Sequence, residues 1–208
     1  KIMDDFAEHF KESFDQIPAL YTPWEPRFAA SIAPDDIAQF DPLVIGRDFL
    51  TWLWFKSEER NGSILIPGRG DVAVEFIRRI VLESGEGEYS ETVVCQGLHA
   101  GLSEGKEALR RGKKIKEARI KLERDSNQWE FTFKADRFQF QSLKLPVMPE
   151  PDDNEQDRDG LIMERIYLLE TAIDTMVELF ETFMKVRLSP RWDNEESTSL
   201  KRWLDREI

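Results

Sequence analysis

Two neighbouring runs in which apolar and polar residues alternate constrain the fold of this chain more than any other feature. The apolar positions are Ala118, Ile120 and Leu122 in the first run and Trp129, Phe131 and Phe133 in the second. Successive side chains of a strand point to opposite faces of its sheet, so each run predicts a strand with one face in the core and one in water. The residues 124–127 between them are turn formers. The range 113–136 is therefore predicted to be an antiparallel β-hairpin.

Three shorter β-rich runs precede this hairpin. They occupy 64–66, 72–82 and 91–95, and glycine-containing turns separate them. Such spacing is typical of a meander, and the extended pattern resumes from Phe138 to Leu145 after the hairpin. The sequence thus predicts an α+β fold with an antiparallel sheet, made of a meander plus a hairpin, with flanking helices and a long C-terminal helix.

The helical segments are marked by apolar spacing and by capping residues. Residues 1–16 place apolar side chains four apart, and a proline-rich connecting segment follows at 21–42. An aromatic-dense run from Gly46 predicts a buried helix that ends at Asn61-Gly62. A short helix is expected with Ser103 as its N-cap and Gly112 as its end, and a final helix near Ser197 or Ser199.

The last third of the chain is divided by an acidic segment. Residues 149–160 contain six acids, one base and two prolines, which predicts a solvated linker. Beyond it a heptad repeat of apolar residues predicts one long helix. Its positions are Ile162, Ile166, Leu169, Ile173, Met176, Phe180 and Phe183. We expect an α+β domain over 1–148, the linker, and a helical region over 161–208. The helix either completes the core of its own chain or also contacts a partner subunit.

Enzymatic motifs are absent from the sequence. His9 and His99 lack the spacing of a zinc site, the glycines form no phosphate loop, and Cys95 ends an apolar strand as a buried thiol would. A magnesium nuclease could use Glu75, Glu83 and Glu91, or the acid and base of 104–106. With 41 acidic residues, the chain would contain such pieces by chance. We expect no enzyme, no cofactor and no metal.

Charge is distributed unevenly along the chain. The net charge is −12, which excludes nonspecific polyanion binding over the whole surface, yet residues 106–124 hold nine bases and three acids. Seven of these bases are predicted to form a cationic strip that contacts DNA phosphates. They are Arg110, Arg111, Lys113, Lys114, Lys116, Arg119 and Lys121. The alternative is that these side chains only solvate a helix end and a strand face.

Composition limits where such a chain acts. It has no run of 18 apolar residues, and its first residues lack the basic-then-apolar order of a secretion signal, so neither a membrane span nor export is expected. The single cysteine cannot form an internal disulfide, which fits the reducing cytoplasm.

Several segments together resemble the bacterial recombination-associated RdgC family. The run from Thr92 to Lys113, the hairpin, the segment 138–145, the acidic segment and the long helix are similar to the C-terminal part of that family. The N-terminal helix with residues 17–20 is similar to its middle part. The resemblance implies a homodimeric ring that holds duplex DNA in a positively lined hole and restrains recombinase-driven strand exchange. It also implies association with the nucleoid.

The resemblance has two departures. The family's N-terminal region, which helps to close the ring, has no counterpart here, and a lysine pair of some members corresponds to Gly97-Leu98, where this chain has no base. The predicted site therefore consists of the seven bases named above. The sequence predicts sequence-independent DNA binding without catalysis. Its alternatives are a protein-interaction module on the long helix and a magnesium-dependent nuclease.

Overall fold

The computed structural model describes residues 42–59, 62–84, 90–97, 102–148 and 155–206. The predicted helix over 1–16 and nearly all of the proline-rich segment lie outside these ranges. The helices are α1 (Pro42–Glu59), α2 (Leu102–Arg110), α3 (Glu155–Arg187) and α4 (Ser197–Asp205). The strands are β1 (Ser63–Ile66), β2 (Gly70–Ser84), β3 (Glu91–Gln96), β4 (Lys114–Arg124), β5 (Asn127–Lys134) and β6 (Gln139–Lys144). The predicted α+β class, with an antiparallel sheet and a long C-terminal helix, is confirmed.

The long strand β2 organises the sheet. Ala73 pairs with Ser63 of β1 and with Glu123 of β4, while Ile80 pairs with Cys95 of β3 and Ala118 of β4. Because a strand has two edges, β1 and β3 lie one behind the other on one edge of β2, and β4 covers the opposite edge. Strands β5 and β6 extend the sheet beyond β4, and every pairing is antiparallel.

The hairpin of β4 and β5 follows the predicted register. Arg124 pairs with Asn127, which leaves Asp125 and Ser126 as a two-residue turn. Both turn residues have positive φ, 49° and 70°, as the type I′ turn of a tight hairpin requires. The apolar positions of both alternating runs are buried. The alternation therefore identified the core face of these strands correctly.

Helices α1 and α3 cover that core face. The α1 side chains Phe49, Trp52 and Leu53 are almost fully buried, and the Phe49 ring meets that of Phe180 from α3 edge to face at 5.3 Å. The indole nitrogen of Trp129 on β5 donates a hydrogen bond to the carbonyl of Leu168, 3.0 Å away. Sheet and long helix thus share one hydrophobic core.

Buried side chains along α3 begin at Leu168. The heptad residues from Ile173 onward are buried, whereas Ile162, Met163 and Tyr167 near the start are more than half exposed. The helix begins at Glu155, so the second half of the segment predicted as a linker is helical. Acidic residues stabilise the first turns of a helix, which explains why this acidic stretch could form one.

Three details of the helix ends differ from the predictions. Helix α1 begins at Pro42, not at Gly46, and proline suits the first turn because its missing N–H has no partner there. Ser103 lies within the first turn of α2 rather than at its cap. The final helix α4 begins at Ser197 as expected, but Ser197 does not cap it, because the helical backbone continues into α4 from the π-helical turn Trp192–Glu196. The expected end at Gly112 is confirmed by its φ of 85° and by its amide hydrogen bond to Leu109.

Among the described residues, no helix combines the length and the apolar character that crossing a membrane requires.

Candidate nucleic-acid interface

The seven predicted bases lie on two elements and the connection between them. Arg110 ends α2, Arg111 follows it, and Lys113 lies just before β4. The remaining four side chains project from β4. This order brings the first five bases close together in sequence and places Lys121 near the far end of the strand.

Arg110 and Arg111 share one carboxylate. Glu107, one turn earlier on α2, accepts hydrogen bonds from Arg110 at 3.2 Å and from Arg111 at 2.9 Å. Hydrogen bonds from Arg111 and Arg110, with their positive charges, lower the pKa of Glu107. Arg110 also donates to the backbone carbonyl of Leu204, whereas the Arg111 side chain is 74% exposed.

Lys113 is a structural residue. Its side chain is only 9% exposed, and its ammonium group donates to Glu91 at 2.8 Å and to the Ser84 hydroxyl at 3.1 Å. The hydrogen bond and the charge of Lys113 lower the pKa of Glu91. The pair fastens the start of β4 to the neighbouring ends of β2 and β3, so Lys113 is not available to a phosphate.

Lys114 and Lys116 are paired but accessible. Lys114 contacts Asp48 of α1 at 2.8 Å and Lys116 contacts Glu83 of β2 at 3.0 Å, with side chains 49% and 42% exposed. Burial alone would raise the pKa of Glu83. Hydrogen bonds from Lys116 and Ser90 and the charges of Lys116 and Arg47 outweigh burial and lower it.

Arg119 and Lys121 project from the middle of the sheet. Arg119 is 12% exposed, pairs with Glu130 of β5 at 3.3 Å and donates to the carbonyl of Ser142 at 3.1 Å. Lys121 forms no ion pair with any described residue, although its register places it between Glu75 of β2 and Glu130 of β5. Arg119 therefore ties strands together, whereas the ammonium group of Lys121 has no carboxylate partner in the described ranges.

The positive charge of the strip predicted from the sequence is thus largely compensated by carboxylates in the folded chain. Six of its seven bases contact a carboxylate. Apart from Glu107, the partners Asp48, Glu83, Glu91 and Glu130 come from other elements. A count of charges along residues 106–124 could not find them. Five bases remain accessible to a ligand: Arg110, Arg111, Lys114, Lys116 and Lys121.

The residues considered for catalysis do not converge in the described part of the chain. Glu83 and Glu91 are held by different lysines, and no group of three or more potential metal ligands occurs among the residues described. Burial, followed by the negative charge of Glu104, raises the pKa of the Cys95 thiol. The expected burial of this thiol is confirmed, while His9 and His99 lie outside the described residues.

Comparison with family models, with curated proteins and with solved structures finds no match for this chain. The resemblance to the RdgC family therefore stays a prediction.

Proposed function

We propose that this chain is a non-enzymatic protein that binds DNA without sequence preference, through phosphate contacts from Arg110, Arg111, Lys114, Lys116 and Lys121. The observation that carries the proposal is the exposure of these bases around the α2–β4 connection and along β4: Arg110, Arg111, Lys114 and Lys116 are about one-third exposed or more, and Lys121 is partly exposed. The family resemblance supports it independently of the geometry.

The ion pairs of these residues do not prevent phosphate binding. The pair of Arg111 with Glu107 joins two exposed side chains and contributes about 0–1 kcal/mol, because water and salt screen it. Glu83, the largely buried partner of Lys116, keeps its contacts with Arg47 and Ser90 when Lys116 turns to a phosphate. A charge-assisted contact to a phosphate can replace such a pair, and counterion release from DNA adds a favourable contribution. Lys113 and Arg119 are excluded from this exchange, because their own side chains are largely buried and would be left as desolvated charges without their partners.

The finer parts of the proposal rest on the resemblance alone. Under it the chain acts as a homodimer on duplex DNA, associates with the nucleoid and restrains a recombinase. Sequence-independent binding fits a surface in which only lysine and arginine side chains supply the contacts, because phosphate contacts carry no base information.

The decisive experiment is fluorescence anisotropy with labelled duplexes of different sequence over a series of salt concentrations. Five phosphate contacts predict a slope of log K against log salt of roughly −4 to −5 and similar affinities for all sequences. Absence of binding at low salt, or affinity that does not change with salt, would remove the proposal.

Charge reversal localises the surface. The variant Arg110→Glu, Arg111→Glu, Lys114→Glu and Lys116→Glu should weaken binding to every duplex and flatten the salt slope. A matched control reverses Arg165, Lys185, Lys201 and Arg202, which are exposed on α3 and α4. It changes the net charge equally. Equal losses in the two variants would show that only net charge matters and that the proposed surface is wrong.

A second candidate function is favoured by the start of α3. Ile162, Met163 and Tyr167 form an exposed apolar patch on the first turns of this helix, and clustered exposed apolar residues typically mark contact surfaces. We propose that this patch contacts a second copy of the chain. Light scattering should then give a dimer for the wild type and a monomer for Met163→Glu with Tyr167→Glu. A wild-type monomer would contradict this role.

A further inference from the structure

A cleft separate from the cationic surface lies where α1, β1, the end of α3 and the π-helical turn meet. Its volume is about 370 Å³, within the range typical of small-molecule sites. Trp52 and Ile64 form apolar walls, and Lys185 and Arg191 line it on the side of α3 and the following turn. Nothing in the proposed DNA contacts uses these residues.

The base of the cleft carries a neutralised pair of charges. Glu196 is almost fully buried, and its Oε1 accepts one hydrogen bond from the Trp52 indole at 2.9 Å and forms an ion pair with Lys56 at 2.6 Å. Lys56 also contacts Glu59 at 2.7 Å. Because Lys56 is held by two carboxylates, it adds no net positive charge for a ligand.

Lys185 and Arg191 therefore set the charge of the cleft. Lys185 is exposed and forms no ion pair with another described residue. Within the described part of the chain, the ion pair of Arg191 is with Glu195, at 3.4 Å between two exposed side chains, and it contributes little. Among the residues that line the cleft, the bases Lys56, Lys185 and Arg191 outnumber the acid Glu196, and Glu59 and Glu195 beside the cleft offset part of this excess. The two exposed cations at Lys185 and Arg191 therefore make an anion the charged ligand that this lining favours.

The rest of the lining suits an apolar body. Leu65, beside Ile64 on β1, lines the cleft and is about half exposed. Covering its apolar surface with a ligand would remove that surface from water, which favours binding. The hydroxyls of Thr182 and Ser189 donate to carbonyls of their own chain segments at 2.8 and 2.9 Å, so their oxygens are left to accept hydrogen bonds. We propose that the cleft binds a small organic anion, with its charged group at Lys185 and Arg191 and its apolar part against Trp52 and Leu65.

Isothermal titration calorimetry of the full chain with three probes tests the site. Phenyl phosphate combines charge and an apolar ring, inorganic phosphate has only the charge, and benzyl alcohol has only the ring. Phenyl phosphate should bind saturably and at least tenfold more tightly than either of the others. Absence of saturable phenyl phosphate binding, or equally tight binding of inorganic phosphate, would overturn the proposal.

Variants and mapping locate the binding. Lys185→Ala with Arg191→Ala should weaken phenyl phosphate at least tenfold, whereas the control Lys201→Ala with Arg202→Ala, on exposed positions of α4 outside the cleft, should leave it unchanged. Amide resonances of the wild-type protein should shift at residues 63–65 and 182–191. Unchanged affinity in the first variant, or shifts confined to other residues, would place the probe elsewhere and refute the site.

Discussion

Gly46 and Gly160 both lie in helices, but their surroundings differ. A Cβ atom at Gly46 would stand 2.3 Å from the carbonyl oxygen of Ala135, whereas one at Gly160 would meet nothing within 4 Å. The backbone of α1 therefore approaches the turn between β5 and β6 as closely as it does only because position 46 has no side chain.

The same substitution should have opposite effects at these two sites. Gly46→Ala is expected to lower the free energy of unfolding by roughly 1–3 kcal/mol or more, because α1 must move away from the turn. Gly160→Ala should raise it by up to about 1 kcal/mol through helix propensity. Urea denaturation measures both. Equal small effects would show that α1 does not pack against Ala135 as described.

Carboxylates held by lysine and arginine make stability depend on pH. Interactions with Lys116, Ser90 and Arg47 lower the pKa of Glu83 despite its burial, and Lys144 and Arg119 do the same for Glu130. A lowered folded-state pKa stabilises the fold above the unfolded value, about 4.3, and this contribution is lost as pH falls through the folded value. Stability should therefore fall on acidification below about pH 4.5.

The double variant Glu83→Gln with Glu130→Gln should reduce the loss of stability that acidification causes. The variant is expected to be less stable than the wild type at pH 7 and to approach it at pH 3, where the wild-type carboxyls are protonated too. Urea midpoints across the pH series check this. The control Glu170→Gln, on an exposed position of α3, should keep the wild-type pH profile. A constant difference between variant and wild type would contradict the assignment.

The β4–β5 hairpin offers a test at the level of an element. Asp125 and Ser126 adopt left-handed backbone angles, which cost an ordinary residue roughly 1–2 kcal/mol, and Asn-Gly is the pair best suited to this turn. Asp125→Asn with Ser126→Gly should raise the free energy of unfolding by about 1 kcal/mol. The loss of the 3.7 Å contact from Arg124 to the exposed Asp125 should matter little. Ser126→Val should instead lower the free energy of unfolding, and thermal melts of the two variants distinguish these outcomes.

Elements with a strong local pattern were predictable, and their boundaries were not. Alternation over 118–133 sufficed for β4 and β5, and aromatic density for the body of α1. The start of α3 was missed because the acids of 155–159 suit a linker and a helix N-terminus equally well. Ser103 and Ser197 are residues that often cap helices, but continuous helical backbone at both places removes that role.

For the candidate site, the sequence predicted where the bases lie but not which carboxylates they contact. Local charge density identified the bases around the α2–β4 connection. Their compensation by Asp48, Glu83, Glu91 and Glu130 depends on strand register and on the position of α1, which no local count contains. Lys113 is buried and Lys121 has no ion pair with a described residue, and both facts follow from the fold rather than from the pattern of basic residues.

At the scale of the whole molecule, the core crosses the division expected at residues 149–160. Met176, Leu179, Phe180 and Phe183 of α3 are fully or almost fully buried in the cluster that contains the aromatic face of β5. Burial of one such side chain stabilises a fold by roughly 1.5–3 kcal/mol, so four contribute on the order of 6–12 kcal/mol. That sum is comparable to the whole stability of a typical domain, about 5–15 kcal/mol.

A fragment that ends at Met148 should therefore not fold by itself. Without α3, the core faces of Trp129, Phe131 and Phe133 would lose the helix that covers them, and the Trp129 indole would lose its hydrogen bond to Leu168. The fragment 1–148 is expected to lack a cooperative thermal transition and near-ultraviolet circular dichroism, and to recover both when a peptide of residues 155–206 is added. Cooperative unfolding of the fragment alone would show that the sheet domain ends before the acidic segment and that α3 is an attached helix rather than a part of the core.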